Sequence, residues 1–184
     1  MASVCVFCAS SVHLSPRWLD LARSVGAALA DRGHRVVSGG GRVGMMGTVG
    51  AGARAAGGPT LGVMPESLIA QEIADTDSDE FVVTADMATR KTELIARSDA
   101  FLVLPGGLGT LDELFEVWTT GSLRLHVKPV IILDVDGFYS GLLDWLRGLV
   151  PAGFVRAEAL AYLTVAHTVE EALDALEGCR TPVV

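Results

Sequence analysis

The sequence predicts an α/β protein: a Rossmann-like, doubly wound parallel sheet with helices on both faces. Short apolar runs alternate along the chain with segments whose apolar residues recur every three or four positions. The apolar runs show no strict polar alternation, which is typical of parallel strands buried on both faces. Because this alternation continues without a repeat or a linker, residues 1–184 are expected to form a single domain.

The predicted elements follow one another from strand to helix. Ser15 as N-cap and Pro16 at the first helical position begin the first helix, and Gly33 ends it. Polar residues 71–80 form the one long loop that is predicted. Strands are expected at residues 4–8, 35–38, 60–64, 81–84, 100–104, 130–133 and 162–165, and helices at residues 16–32, 44–56, 87–98, 111–120, 139–150 and 169–177.

Composition excludes several classes of function. The formal net charge of −8 and the pI of about 4.9 argue against bulk binding to DNA, RNA or an anionic membrane. No basic leader precedes the first strand and no apolar stretch is long enough to cross a bilayer, so a cytoplasmic protein is expected. Cys5 and Cys8 spell C-x-x-C within a strand, where positions i and i+3 face opposite sides. They are expected to be two separate buried thiols.

A first glycine-rich turn, Gly39-Gly40-Gly41-Arg42-Val43-Gly44, joins the second strand to a helix. Its glycines allow backbone N–H groups to approach an anion, which makes Gly40 and Gly41 candidate phosphate ligands. The same residues satisfy the dinucleotide pattern G-x-G-x-x-G, with Glu66 after the next strand. A turn whose glycines serve only packing is an equally open interpretation.

A second glycine-rich turn follows the buried fifth strand, in the stretch Pro105-Gly106-Gly107-Leu108-Gly109-Thr110. Backbone amides near Gly106, Gly107 and Gly109, together with the Thr110 hydroxyl, are suited to hold a phosphate. It is not a Walker loop, because no lysine follows the glycines. Thr110 and Glu113 also form T-x-x-E, so Glu113 has an alternative interpretation as part of a helix capping box.

Two cations lie near the start of a predicted helix, in the stretch Asp86-Met87-Ala88-Thr89-Arg90-Lys91. With Asp86 as N-cap, Arg90 and Lys91 fall in or just after the first helical turn, where the helix dipole disfavours positive charge. Such a conflict often marks a site. The alternative is a solvated basic pair that faces nearby acids.

These signals converge on one edge of the predicted sheet. Ser10, the first glycine turn, Glu66, the segment from Met87 to Lys91 and the second glycine turn all follow the carboxyl ends of strands. In an open α/β sheet, that edge is where ligands bind. An anion site beside two carboxylates, Glu66 and Glu113, suits hydrolysis of a glycosidic bond through a cationic sugar.

The chain resembles the LOG ("Lonely Guy") family of cytokinin riboside 5′-monophosphate phosphoribohydrolases. The motif P-G-G-x-G-T-x-x-E is matched by residues 105–113, M-x-x-R-K by residues 87–91, and G-G-G-x-x-G-x-M-G by residues 39–47. The resemblance implies hydrolysis of AMP-type nucleotides to free base and ribose 5-phosphate, without a metal or cofactor. It implies that Arg90 and Glu113 are catalytic and that the second glycine turn holds the phosphate, and Met87 and Lys91 join the candidate substrate ligands.

The resemblance also implies a homodimer, and it has departures. The family's usual C-G-S-S, M-H-E-R-K and T-W-A-Q-L-G differ here at Ala9, at Ala88 and Thr89, and at residues 120–124. We therefore expect hydrolysis to be retained, whereas the sequence leaves open which base is preferred. Two alternatives are a non-catalytic carrier resembling the molybdenum-cofactor carriers, and an NAD-dependent oxidoreductase. The presence of Glu113 counts against a carrier, which does not need this carboxylate. The first glycine turn follows the second strand rather than the first, which counts against the oxidoreductase.

Overall fold

Seven parallel strands form one sheet in the computed structural model, which describes residues 1–69 and 74–178. The strand order is β4-β3-β2-β1-β5-β6-β7, and every pairing is parallel. The predicted doubly wound sheet is confirmed. The strands are β1 Ser3–Phe7, β2 Arg35–Ser38, β3 Thr60–Pro65, β4 Glu80–Thr84, β5 Ala100–Val103, β6 Val130–Leu133 and β7 Leu163–Ala166.

Helices cover both faces of the sheet. All six predicted helices are present, and two short ones, α3 and α7, were not predicted because four or five residues are too few to show a helical period. The helices are α1 Pro16–Asp31, α2 Gly44–Ala55, α3 Glu66–Ile69, α4 Met87–Ala96, α5 Leu108–Ser122, α6 Ser140–Gly148, α7 Ala157–Ala161 and α8 Val169–Gly178, with a 3₁₀ turn at Val135–Gly137.

Each central strand divides its side chains between two apolar cores. In β1, Val4 and Val6 pack with α1, α2 and α8, whereas Cys5 and Phe7 pack with α4, α5 and α6. Cys8 belongs to the first core and Cys5 to the second, so the prediction that the two thiols face opposite sides is confirmed. This division is why the strands read as continuous apolar runs.

The small residues of α2 serve a close contact between helices. They bring α2 against α1. A Cβ on Gly26 of α1 would overlap the Val49 carbonyl oxygen, and one on Gly52 of α2 would overlap the Arg23 carbonyl oxygen. The backbones of the two helices therefore touch without intervening side chains.

Asp75, which lies between α3 and β4, is fixed to the first glycine turn and to α2. Residues 71–73 of the predicted loop, and Cys179, lie outside the described residues. Asp75 donates its N–H to the Gly40 carbonyl at 2.8 Å and accepts two hydrogen bonds from Arg54 of α2 at 2.9 and 3.1 Å. This partly buried ion pair holds the chain against the first glycine turn as it returns toward β4.

The sheet reverses its winding between β1 and β5. Chain order runs outward in one direction from β1 to β4 and in the other from β5 to β7. The carboxyl ends of the two strands at such a reversal diverge and leave a crevice between the loops that follow them. Within the described ranges, no helix has both the length and the apolar character needed to span a membrane.

Candidate active site

A cleft of about 360 Å³ opens at the reversal between β1 and β5. Its volume lies within the range of small-molecule sites, roughly 300–1,000 Å³. Its walls come from the loop after β1, from α4 and from the start of α5. The lining residues are Cys8, Ala9, Ser10, Ser11, Met46, Leu68, Met87, Arg90, Gly107, Leu108, Gly109, Thr110, Asp112 and Glu113.

The N-terminus of α5 supplies backbone donors to this cleft. The helix begins at Leu108, three residues before the predicted start, with Gly107 as N-cap. Its first helical hydrogen bond runs from the Leu111 N–H to the Gly107 carbonyl at 3.0 Å. The amides of Leu108, Gly109 and Thr110 precede that bond, so they are available to an anion at the positive end of the helix dipole.

The capping-box interpretation of Glu113 is wrong. Thr110 lies inside α5 rather than at its N-cap, and the N-cap residue makes no side-chain hydrogen bond. Thr110 is buried against Gly106, where an added Cβ would overlap its hydroxyl oxygen. Glu113 is thus free to point away from the helix terminus and toward α4.

Arg90 is buried, with 5% of its surface exposed, and three groups hold its guanidinium. Nε donates to the Val63 carbonyl at 3.1 Å, one terminal nitrogen donates to the Gly39 carbonyl at 3.2 Å, and the other contacts Glu113 Oε1 at 3.2 Å. A Cβ on Gly39 would occupy the guanidinium position, so the first glycine turn makes room for Arg90. Arg90 lines the cleft as predicted, yet it is also part of the interior.

Glu113 is the buried carboxylate of the cleft lining, and it is 9% exposed. Burial raises its pKa to about 7, from an ordinary value of 4.5. Arg90 and Lys91 lower this pKa, whereas the neighbouring carboxylates of Asp112 and Glu116 raise it. A carboxyl group that titrates near neutral pH in a ligand-sized cleft is suited to proton transfer.

Lys91 does not line the cleft, although we expected it to bind substrate. Its ammonium group contacts Glu116 Oε2 at 2.8 Å and Asp112 Oδ2 at 3.3 Å. Both partners lie on α5, so the lysine ties α4 to α5. The expected conflict with the helix dipole is offset by these acids, a contact that sequence spacing within α4 does not reveal.

Four other candidates lie outside the cleft lining. Glu66 begins α3 and is exposed. Gly40 has φ of 79°, which glycine adopts readily, and its carbonyl accepts from the Asp75 N–H. Gly41 forms an isolated bridge with Ala74, and Gly106 packs on Thr110. The glycines thus shape the turns.

The cleft also contains residues that were not predicted as ligands. Ser11 and Ala9 flank the predicted Ser10. Their position shortly after β1 is the sequence feature that could have identified them. Met46, Leu68 and Leu108 form an apolar side of the cleft together with the predicted Met87. Leu108 is 88% exposed, an unusual position for a large apolar side chain in the first turn of a helix.

Comparison with known proteins identifies the family. The family model described as "Possible lysine decarboxylase" matches residues 46–176. A cytokinin riboside 5′-monophosphate phosphoribohydrolase of Mycobacterium tuberculosis is 49% identical over 173 residues, covering 94% of this chain and 92% of the relative. The Arabidopsis thaliana protein LOG7, with the same activity name, is 40% identical over 174 residues, covering 95% of this chain and 80% of the relative.

Solved structures share the fold. The X-ray structure of TM1055 superimposes with a TM-score of 0.75 at 28% identity, covering 97% of this chain and 99% of the other. The molybdenum cofactor binding protein of Rippkaea orientalis also gives a TM-score of 0.75, at 23% identity and 98% coverage of both chains. At that identity the second likeness concerns the fold alone. From the sequence relatives, the chain belongs to the LOG family of cytokinin riboside 5′-monophosphate phosphoribohydrolases.

Proposed function

We propose that this protein hydrolyses the N-glycosidic bond of adenosine 5′-monophosphate and its N6-modified, cytokinin-type forms, releasing free base and ribose 5-phosphate. The observation that carries the proposal is the buried pair of Glu113 and Arg90 in a cleft beside the N-terminus of α5. Relatives that are 40–49% identical over most of the chain carry the same activity name.

The phosphate is assigned to the start of α5. The amides of Leu108, Gly109 and Thr110 and the positive end of the helix dipole favour an anion at this point. The hydroxyl groups of Ser10 and Ser11, on the opposite wall, are within the same cleft. Binding the phosphate here fixes the sugar between the two walls, near Glu113.

Glu113 is assigned to the reacting centre. Its ionised carboxylate orients a water molecule and stabilises the positive charge that develops on the sugar ring. The water oxygen bonds to C1′ as the bond from C1′ to the base nitrogen breaks, and Glu113 passes the proton released by water to the departing base. Arg90 holds Glu113 in position and favours its ionised form. Glu66 is left out of this set because it is exposed beyond the cleft lining.

The apolar side of the cleft supports acceptance of an N6-modified base. Met46, Leu68, Met87 and Leu108 offer apolar surface to a base and its substituent. Among the family departures, Ala9 lines the cleft, whereas Ala88 and Thr89 are exposed on α4. The buried pair of Arg90 and Glu113 favours hydrolase activity over a carrier. The first glycine turn follows β2 rather than β1 and makes room for Arg90, which favours a nucleoside monophosphate over a dinucleotide.

We also propose a cytoplasmic homodimer. A groove of about 260 Å³ lies between α5 and α7, and its apolar residues include Phe115, Trp118 and Phe154. Phe154 is 81% exposed, and the rings of Phe115 and Trp118 stack at 6.1 Å. Phe154 and Phe115 leave aromatic surface exposed, which is typical of interfaces. Light scattering coupled to gel filtration checks the proposal, and a monomer across micromolar concentrations would contradict it.

The test of function is a comparison of AMP, N6-isopentenyl-AMP and adenosine as substrates, with free base and ribose 5-phosphate as the products measured. Both monophosphates are expected to be hydrolysed. Adenosine is expected to lose at least about a hundredfold in kcat/KM, since two or three charge-assisted contacts to phosphate are absent. Part of that loss is expected in kcat, because phosphate binding holds the sugar against Glu113. Equal rates with AMP and adenosine would contradict the phosphate site.

A further inference from the structure

The consecutive residues Arg90 and Lys91 contact different acids of α5. Arg90 enters the cleft wall and contacts Glu113. Lys91 remains on the outer side of the helix pair, where 23% of its side chain is exposed and its ammonium group contacts Asp112 and Glu116. These two acids flank Glu113 on α5: one precedes it, and the other follows about one turn later. Lys91 thus bridges the chain on either side of Glu113.

The charges around Glu113 depend on this bridge. Asp112 and Glu116 are four positions apart on a helix, where two like charges repel each other. Both also act unfavourably on an ionised Glu113. The groups that act on Glu113 from other elements are the cations of α4, namely Arg90 and Lys91, and the buried thiols of Cys5 in β1 and of Cys8 immediately after it.

Burial raises the pKa of both thiols, so they stay neutral and offset no negative charge. Arg90 pairs with one oxygen of Glu113. The two outer carboxylates are contacted by Lys91, and its positive charge offsets part of their negative charge.

We propose that Lys91 is a positioning residue for the reaction: it holds α4 against α5 and offsets the two flanking carboxylates, which favours the ionised form of Glu113. The inference rests on the proposed role of Glu113 as an ionised carboxylate. It replaces the interpretation of Lys91 as a substrate ligand. A phosphate ligand is expected to have a free ammonium group in the cleft, whereas Lys91 does not line the cleft and its ammonium group is paired with the carboxylates of Asp112 and Glu116.

The test is the pH profile of AMP hydrolysis in three variants. Lys91→Met keeps the apolar stem and removes the charge, and its kcat profile is expected to move to higher pH by about one unit, with KM little changed. Lys91→Arg keeps the charge and is expected to restore the midpoint. Lys91→Met combined with Glu116→Gln removes one carboxylate with the cation and is expected to bring the midpoint back toward that of the original protein.

A role in substrate binding gives a different pattern. An unchanged midpoint with a KM for AMP raised tenfold or more in Lys91→Met would overturn the proposal in favour of a phosphate contact. An unchanged midpoint and an unchanged KM would overturn it as well. If Lys91→Met does not fold, Glu116→Gln alone tests the same charge balance, because its midpoint is expected to move to lower pH, and no movement would contradict the proposal.

A measurement that does not need activity separates this inference from the proposed function. The Glu113 carboxyl carbon is titrated by ¹³C NMR, and its resonance is assigned from its loss in Glu113→Gln. Lys91→Met is expected to raise the titration midpoint even if no nucleotide is hydrolysed. Hydrolysis in the original protein without any such rise would leave the function in place and overturn the role of Lys91.

Discussion

At the scale of single residues, the two side chains with the strongest sequence signal form a direct contact. Arg90 and Glu113 were named because each sat in a motif at the carboxyl edge of the sheet. Their contact at 3.2 Å joins α4 to α5. Spacing along the chain does not contain that information, because it depends on how two helices pack. For the same reason the direction of Lys91 was missed.

Glu113→Gln is expected to abolish hydrolysis while nucleotide binding is retained. The amide keeps the size of the side chain but neither accepts a proton from water nor stabilises a cationic sugar, so kcat is expected to fall by at least about a thousandfold. Single-turnover rates and calorimetric titration with AMP measure the two effects. Glu93→Gln, on α4 and paired with Arg97, is the matched control and is expected to keep its activity. Near-normal turnover in Glu113→Gln would contradict the catalytic role.

Arg90→Ala is expected to destabilise the fold as well as to lower activity. The alternative of a solvated basic pair is wrong for Arg90, because its guanidinium is buried and has three partners. Removing it leaves the Glu113 carboxylate buried and unpaired, which costs about 3–5 kcal/mol of the free energy of unfolding. Chemical denaturation measures the loss.

The matched comparison for Arg90→Ala is its combination with Glu113→Gln. That double variant has no unpaired buried charge, so part of the stability is expected to return. A single variant as stable as the original protein would show that Arg90 faces solvent or ligand instead of the interior.

At the scale of elements, helix ends were predicted less well than helix centres. α5 begins three residues early because Leu108 and Gly109 look like loop residues, and their helical conformation depends on the packing of Thr110 beneath Gly106. At the other end, Arg124 adopts a φ of 61°, in the left-handed region that favours glycine. The Leu125 N–H donates to the Thr120 carbonyl at 3.0 Å, which completes a Schellman motif.

Arg124→Gly is expected to stabilise the protein by about 0.5–1 kcal/mol, since glycine adopts this backbone conformation without steric cost. Gly33 ends α1 with the same hydrogen-bond pattern and a φ of 73°, so it is the matched position. Gly33→Ala is expected to destabilise by a similar amount, and no atom lies near enough for a clash to add to the effect. Thermal denaturation of both variants checks the pair, and a loss of stability in Arg124→Gly would contradict the argument.

At the scale of the whole molecule, the alternation of strands and helices was sufficient to predict the sheet and its two helical layers. The order of strands within the sheet was not predicted, because parallel strands joined by helices allow several orders that bury the same apolar runs. A general rule about the carboxyl ends of strands predicted a ligand site at this edge, and the structure has a cleft there, between β1 and β5.

Global stability is expected to fall as pH rises through about 7. The pKa of Glu113 is about 7 in the folded protein and near 4.5 when unfolded, so the folded state holds an extra proton between these values. The raised pKa therefore adds roughly 3 kcal/mol to the free energy of unfolding below about pH 4.5. This contribution is lost as pH rises from there through 7. The difference in unfolding free energy between the original protein and Glu113→Gln, measured from pH 5 to 8, isolates this contribution. A difference that does not change with pH would contradict it.

The central position of β1 has a consequence for the order in which the protein assembles. Its pairing with β2 joins residues about thirty positions apart, whereas its pairing with β5 joins Val4 to Ala100. During synthesis, one side of the first strand therefore stays open until the fifth strand has emerged, and an open strand edge favours pairing with other chains. Both walls of the cleft are attached to this late pairing. The cleft is thus completed only after more than half of the chain has been made.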